Sequence, residues 1–419
     1  MIETASDDRV VMSYVHVIVV AVFGAVGVLA WLVAWELMNA VLWENDFVVG
    51  NPWVFPLICL PFSLLVGLLV KYRQAPTNLD ESMLDSLNGD VSRTDWRRLP
   101  VNVVMAWASL LSGAVIGPEG GIGGIASKLA VLYAERASVP VAQRSRLVFS
   151  TLASAYNGLV ANPLFTGVLG TELIKDPAAR ARNLPANLIG GAIGFLIFTI
   201  VGSTGLEDYL DLAPAGPIVP LDVLLVVVFG IVGLVLGVVA GAFFRVSASF
   251  FGRWHDRVVT RALVAGVIFS VAGVIAPVLL FSGETQIRTV VADPASYGPV
   301  VLVLMAIGKL ALLAVAFKSG FLGGPTFPAI FASVCVALAV SLLFPTIAVT
   351  VVIGGVMAGF LMVLFRAPFM VILLTTVMLE ADAELVALIV LAVAVCMIVQ
   401  PYLAAAVAAR RPTGAATSG

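Results

Sequence analysis

A single carboxylate, Glu119, sits in the run Gly117-Pro118-Glu119-Gly120-Gly121-Ile122-Gly123-Gly124, after one apolar stretch and before another at Ile125 to Tyr133. An ionised side chain at membrane depth is costly, and irregular backbone there is tolerated only where protein buries it or it lines a cavity. A glutamate so placed marks a functional site: something polar passes, and Glu119 meets it. A second stretch, Lys318-Ser319-Gly320-Phe321-Leu322-Gly323-Gly324-Pro325-Thr326-Phe327-Pro328, has the same glycine and proline makeup without the carboxylate. Two helix starts facing each other would present free N–H groups and positive dipole ends, which suit an anion. Gly120–Gly124 before Ile125 and Gly323–Pro328 before Ala329 fit such starts, because glycine admits a ligand close to the backbone and proline favours the first turn. A carboxylate in that place competes with the anion when charged and leaves when protonated. Glu119 is therefore a candidate gate and proton acceptor; the plainer reading is a glutamate that only caps a helix N-terminus.

The elements that must position these residues are membrane helices. Hydrophobic residues make up 61% of the 419 residues and charged residues 11%, with a mean hydropathy of +1.08. Soluble chains carry about 25% charged residues, and repeated apolar runs of about 20 residues read as spanning helices. Val11–Leu42, Val223–Phe244, Ala262–Phe281 and Leu385–Ala409 are such runs. The expected fold is an all-α polytopic membrane protein using residues 1–419 as one transmembrane domain, with no signal peptide and no separate soluble domain. A net charge of −2 gives no hint of nucleic acid. Lys and Arg gather at Lys71–Arg98, Arg136–Arg146, Lys175–Arg182, Arg245–Arg261 and the tail at Arg410 and Arg411, whereas Glu44–Asp46 and Glu207–Asp211 are acidic. By the positive-inside rule both termini are expected in the cytoplasm, in a bacterial cytoplasmic membrane.

Several apolar segments are too short or too broken to cross a bilayer neatly. The breaks at 117–124 and 318–328 lie on either side of an outward-facing loop near 203–218 that divides the chain almost evenly. Matching interruptions in two halves point to a transport site built from half-helix ends. The expectation is two inverted repeats, 1–208 and 209–419; an ordinary bundle with incidental kinks is the alternative.

In these residues the chain resembles the CLC family of chloride channels and chloride/proton exchangers. Gly117-Pro118-Glu119-Gly120-Gly121 resembles the family's G-[KR]-E-G-P signature, and Ser319 to Pro328 resembles its S-G-x-x-G-G-x-F-x-P segment. Trp96-Arg97-Arg98-Leu99-Pro100 looks like the start of the helix before the glutamate motif, and Phe281-Ser282-Gly283-Glu284 like the glycine turn upstream of the second signature. The likeness extends from about Lys71 to the C-terminus. It implies a homodimer of tilted, partly re-entrant helices with an anion pathway in each subunit, moving chloride or a similar small anion and, in exchangers, protons. The implied anion-binding positions are Gly117, Gly120, Gly121, Gly324, Pro325, Thr326 and Phe327, with Glu119 as the gate. The family's G-S-G-I-P loop falls on Thr77-Asn78-Leu79-Asp80-Glu81, so Asn78 stands where a serine usually faces the anion. Its amide can still donate. Pro325 has no N–H to offer, and Thr326 replaces the usual phenylalanine. The pore tyrosine would fall on Leu403, with Tyr402 one residue early; Tyr402 either supplies the phenol or packs at the interface. The second, cytoplasm-facing glutamate of exchangers falls on Leu173, beside Glu172. Either Glu172 relays protons, water reaches Glu119 directly, transport is uncoupled, or Glu172 is a surface charge near Lys175.

The resemblance makes anion transport through a glutamate-gated channel or antiporter the leading expectation, with a fluoride-selective exporter as the alternative ion. An intramembrane enzyme using Glu119 as acid or base is disfavoured: His16 and His255 have no partner at ligand spacing, and Cys59, Cys335 and Cys396 lie apart in apolar runs. No metal or cofactor is called for. Lys309 and Lys318 bracket an apolar segment, and Lys318 is read as snorkelling to the interface. A non-transporting scaffold would need no glycine-rich breaks, and should be packed solid where a transporter has a cavity joining Glu119 to Thr326.

Overall fold

Apolar runs become helices here because only a helix satisfies every backbone N–H and C=O of a segment away from water. The computed structural model describes residues 2–77, 94–173, 177–201, 210, 212 and 216–409. The first part of the chain forms α1 (Ile2–Trp43), a short α2 (Asp46–Gly50), α3 (Phe55–Arg73), α4 (Leu99–Leu111), α5 (Glu119–Arg136), α6 (Val141–Ala155), α7 (Pro163–Leu173) and α8 (Pro177–Val201). The remainder forms α9 (Pro220–Gly252), α10 (Val258–Ile275), α11 (Glu284–Ala292), α12 (Gly298–Ser319), α13 (Thr326–Leu343), α14 (Val349–Phe365), α15 (Pro368–Met378) and α16 (Ala383–Ala409). Among the described residues eight helices are long and apolar enough to cross a membrane.

The packing has a plan that recurs along the chain. α1 packs on α6 and α8, and α5 on α6; correspondingly α9 packs on α14 and α16, and α13 on α14. Glu119 and Thr326 are separated by 207 positions, and the same offset carries α5 onto α13 at both ends. It also makes α3, α6, α7 and α8 overlap α10, α14, α15 and α16. Two contacts tie these sets together, α3 against α10 and α7 against α15.

Two sequence expectations shift, and Lys309, left without a role above, finds its place. The run expected to span Ala262–Phe281 is helical only to Ile275, because Pro277 supplies no N–H and opens a single 3-10 turn, Pro277–Leu279. The glycines at 120–124 are not a loop before a helix at Ile125 but the first turns of α5 itself. Lys309 does not reach the interface. It is fully buried, and its Nζ donates to the carbonyls of Leu280 (2.8 Å), Leu279 (3.2 Å) and Val278 (3.4 Å) while lying 4.6 Å from the centre of the Phe331 ring. These contacts fasten the turn after α10 to α12 and α13. Lys318 is exposed, its Nζ 5.7 Å from the Phe244 ring centre, as a snorkelling side chain would be. The three cysteines are buried free thiols in the helices.

Candidate functional site

The two helix starts meet through their glycines. Gly117 N donates to Gly324 O at 2.8 Å and Gly324 N to Gly117 O at 3.0 Å, an isolated antiparallel bridge between two breaks far apart in sequence. Each glycine is followed by a proline at the N-cap, Pro118 for α5 and Pro325 for α13. Proline suits this place, since its missing N–H falls among those a helix leaves unbonded. The next residues, Glu119 and Thr326, open their helices almost in register across the bridge.

Glu119 reaches over to the other helix. Its side chain is 4% exposed, and Oε1 accepts a 3.0 Å bond from Thr326 N, while the buried Oε2 has no partner among the described residues. The carboxylate therefore caps α13 rather than its own helix. A helix N-terminus thus holds an acceptor oxygen supplied by the facing helix, at a place where an anion is favoured. Side chain and N–H are in direct contact, so the carboxylate fills the space where a cavity between Glu119 and Thr326 was the expectation.

Glycine makes the seat possible. A Cβ on Gly117 or Gly324 would overlap the Glu119 carboxyl group, and one on Gly120 would lie 3.0 Å from Gly323 N. Further along α5, a Cβ on Gly121 would run into the Trp31 ring, and one on Gly124 into the Asn102 amide. Each helical glycine costs about 1 kcal/mol against alanine, a cost accepted here for close approach of neighbouring elements.

Side chains the sequence did not single out hold the seat in place. Tyr156, buried at the turn between α6 and α7, donates from Oη to Glu119 O at 3.0 Å. Ser109 Oγ, on α4, accepts from Leu322 N at 3.0 Å and so fixes the second break against the helix before the first. Lys128 Nζ donates to Asn102 Oδ1 and to Gly124 O, both at 3.3 Å, joining α5 to α4 beyond the glycines.

Of the residues expected at the site, the structure brings together Glu119, Gly117, Gly120, Gly324, Pro325 and Thr326; Gly121 and Phe327 are buried in the adjoining first turns. Asn78 lies outside the described residues. Glu172 is elsewhere and is occupied: Oε1 accepts from Phe369 N at 3.0 Å and Oε2 from Met370 N at 2.7 Å, so it caps α15 from the end of α7. Tyr402 is not brought to the site. Pro401 is taken up inside α16 instead of starting a helix, and the Tyr402 side chain is 74% exposed on the outer surface. The buried phenol beside Glu119 belongs to Tyr156. Among the described residues no three His, Cys, Asp or Glu side chains come together as a metal site. The described backbone donors at the seat are Thr326 N, which donates to the carboxylate, and the Gly117 and Gly324 N–H groups, which are taken up in the bridge.

Comparison with known proteins agrees in fold and in sequence. A family profile described as "Voltage gated chloride channel" matches residues 62–400. The "Putative ion-transport protein YfeO" of Escherichia fergusonii is 25% identical over 346 residues, covering 79% of each chain. Its namesake from Shigella flexneri is 26% identical over 323 residues, covering 75% of this chain and 74% of that protein. A slow cyanobacterial Cl−/H+ antiporter superposes with a TM-score of 0.77 at 18% identity, over 93% of this chain and 94% of that one. A CLC-type fluoride/proton antiporter superposes with a TM-score of 0.73 at 18% identity, over 94% and 96%. At that identity the two structures speak for the fold alone.

Proposed function

The chain belongs to the voltage-gated chloride channel family, and on that premise we propose that it carries chloride or a similar small monovalent anion across the bilayer, with Glu119 as the gate. The observation that carries the reading is the 3.0 Å bond from Thr326 N to Glu119 Oε1 at the start of α13. A carboxylate oxygen there stands in for the anion. When Glu119 takes a proton its charge is lost, its hold on the helix N-terminus weakens, and the seat passes to the anion. Gly117, Gly120, Gly121 and Gly324 give the anion the same close approach, and Thr326 with Phe327 offers backbone donors; Pro325 shapes the turn without donating. Asn78 is proposed to meet the anion further along the path. Family and fold are those of transporters.

The 207-residue offset between matching helices supports two inverted repeats, 1–208 and 209–419, with the seat on the line between them. Homodimerisation, termini in the cytoplasm and a bacterial cytoplasmic membrane belong to the same reading. The first two rest on the family and on the sorting of Lys and Arg to one set of loops. Glu172 serves as a cap in this reading, with each carboxylate oxygen engaged by a backbone N–H of α15.

Efflux from liposomes containing the purified protein tests the proposal, with anion and proton fluxes recorded together. Chloride efflux should rise as pH falls, and Glu119→Gln should abolish that pH dependence while flux persists. No flux of chloride, fluoride, bromide or nitrate at any pH would overturn it. A preference for fluoride over chloride would change the ion and keep the gate; proton movement coupled to anion movement would make the protein an exchanger.

A further inference from the structure

A cavity of about 910 Å³ lies apart from the Glu119 seat, between the acidic end of α1 and the segment 277–297. α1 delivers one wall by helical spacing: Glu36, Asn39, Ala40 and Trp43 recur at three- and four-residue steps and share a face. Opposite stand Phe281 and Ser282, placed by the left-handed turn at Gly283 (φ +100°), followed by the first turns of α11 with Glu284 and Gln286. The volume is that of a small-molecule site.

Its chemistry is one-sided. Three carboxylates line it, on Glu36, Glu44 and Glu284, and no Lys or Arg does. The walls are otherwise largely apolar and aromatic. Trp43, 6% exposed, meets the Phe55 ring edge-on at 5.2 Å between centroids and the Phe281 ring at 4.9 Å, so these rings turn toward one another. Three buried polar atoms of the lining have no partner among the described residues: Asn39 Oδ1, Gln286 Oε1 and Trp35 Nε1. Buried polar groups are nearly always bonded, and two of these three are acceptors beside carboxylates. Asn39 Nδ2 meanwhile donates to Glu44 Oε1 at 2.8 Å, which fixes its amide with the oxygen left over. A metal ion is a poor fit, since no three-residue ligand group forms among the described residues and the walls are aromatic. An anion is worse, because every charge in the lining repels it.

We propose that this cavity binds an organic ammonium ion: a protonated amine, donating to Glu36, Asn39 Oδ1 and Gln286 Oε1, on an apolar body that packs against the Trp43, Phe55 and Phe281 rings. Aromatic faces attract such cations, more so where water is displaced. The same chemistry is offered by a free amine and by the ethanolamine headgroup of a lipid. The site does not depend on the transport reading, for it shares no residue with the Glu119 seat.

The test is calorimetric titration of the intact purified protein in detergent with tryptamine, and in parallel with neutral 3-methylindole and anionic indole-3-propionate. Tryptamine should bind, the neutral probe should bind at least about 10-fold more weakly, and the acid should not bind. Glu36→Gln should weaken tryptamine about 10-fold, the loss of one charged contact, and Glu36→Gln with Glu44→Gln by more, with 3-methylindole unaffected. Size-exclusion profiles matching the parent protein show that the variants are folded. Competition by phosphatidylethanolamine but not phosphatidylglycerol assigns the site to a lipid headgroup; without competition the ligand is a free amine. No binding of tryptamine to the parent protein, equal binding of all three probes, or unchanged tryptamine binding in the double variant overturns the proposal.

Discussion

Among the described residues the Glu119 carboxylate is bonded through one oxygen and not the other, the balance that the proposed gate asks for. A hydrogen bond to a charged group contributes about 1.5–3 kcal/mol, while a buried acceptor left unbonded costs about 1–3 kcal/mol. Oε1 gains the first from Thr326 N, and Oε2 bears the second. The unbonded cost is larger still for a charged oxygen, so in the proposed gate a proton on Glu119, or an anion arriving to replace it, favours release of the side chain. A carboxylate bonded through both oxygens, as Glu172 is, would be a permanent cap. Gly324 supplies a way to test the seat without touching Glu119. Its backbone is not left-handed, so alanine brings no φ strain, and the new Cβ would overlap the Glu119 carboxyl group and crowd its Cβ at 2.7 Å. Gly324→Ala should keep the side chain out of the seat at every pH. The ratio of efflux at pH 5 to that at pH 7.5 should then fall to about 1, whatever the absolute rate. A ratio equal to the parent's would mean that Glu119 does not need this space to close the path.

At the scale of elements, helix ends decide where function lies, and they differ in how far they could be read. Glu119 and the 323–328 turn were legible because carboxylate, glycine and proline are conspicuous within apolar sequence. The helical nature of Gly120–Gly124 was not, since glycine runs ordinarily mark loops; only contact with Trp31, Gly323 and Asn102 explains them. Tyr156 and Lys309 were missed or misread for a related reason. Their partners are backbone carbonyls 37 and 29 positions away, and a carbonyl has no residue type to announce it. Glu172 belongs to the same group, because its partners are N–H groups 197 and 198 positions on, at the start of α15. The N-cap residue of α15, Ala367, has no side chain able to cap, so the cap arrives from α7. Glu172→Ala should lower the stability of the folded protein by about 1–2 kcal/mol, the usual worth of a lost cap, read as a fall in thermal midpoint in detergent. Glu172→Gln, which keeps an acceptor, should lose less. Anion efflux by Glu172→Gln should stay within about 2-fold of the parent if the residue only caps; abolished proton movement with intact anion flux would instead assign it to a proton path.

At the scale of the whole molecule, the seat belongs to neither part of the chain alone. Gly117, Pro118 and Glu119 come from one set of helices and Gly324, Pro325 and Thr326 from the other, joined by two bonds between glycines and one from Thr326 N to the carboxylate. Each set contributes a helix start and neither can complete the pair. The glycine-rich breaks were legible as a pair, but the sequence of apolar residues is too uniform to reveal the offset of 207 positions that carries α5 onto α13. Among the described residues the two sets are joined by helix packing, α3 on α10 and α7 on α15. Packing of small residues at close range is a principal source of helix association in lipid, and it operates without chain continuity. Fragments 1–208 and 209–419, expressed together as separate chains, should therefore reassemble and carry out anion efflux with the pH dependence of the intact protein. Either fragment alone should give none, even where it inserts into the membrane. Efflux from one fragment by itself would show that a complete path exists on one side of the division, and the shared seat would then not be the place where the anion passes.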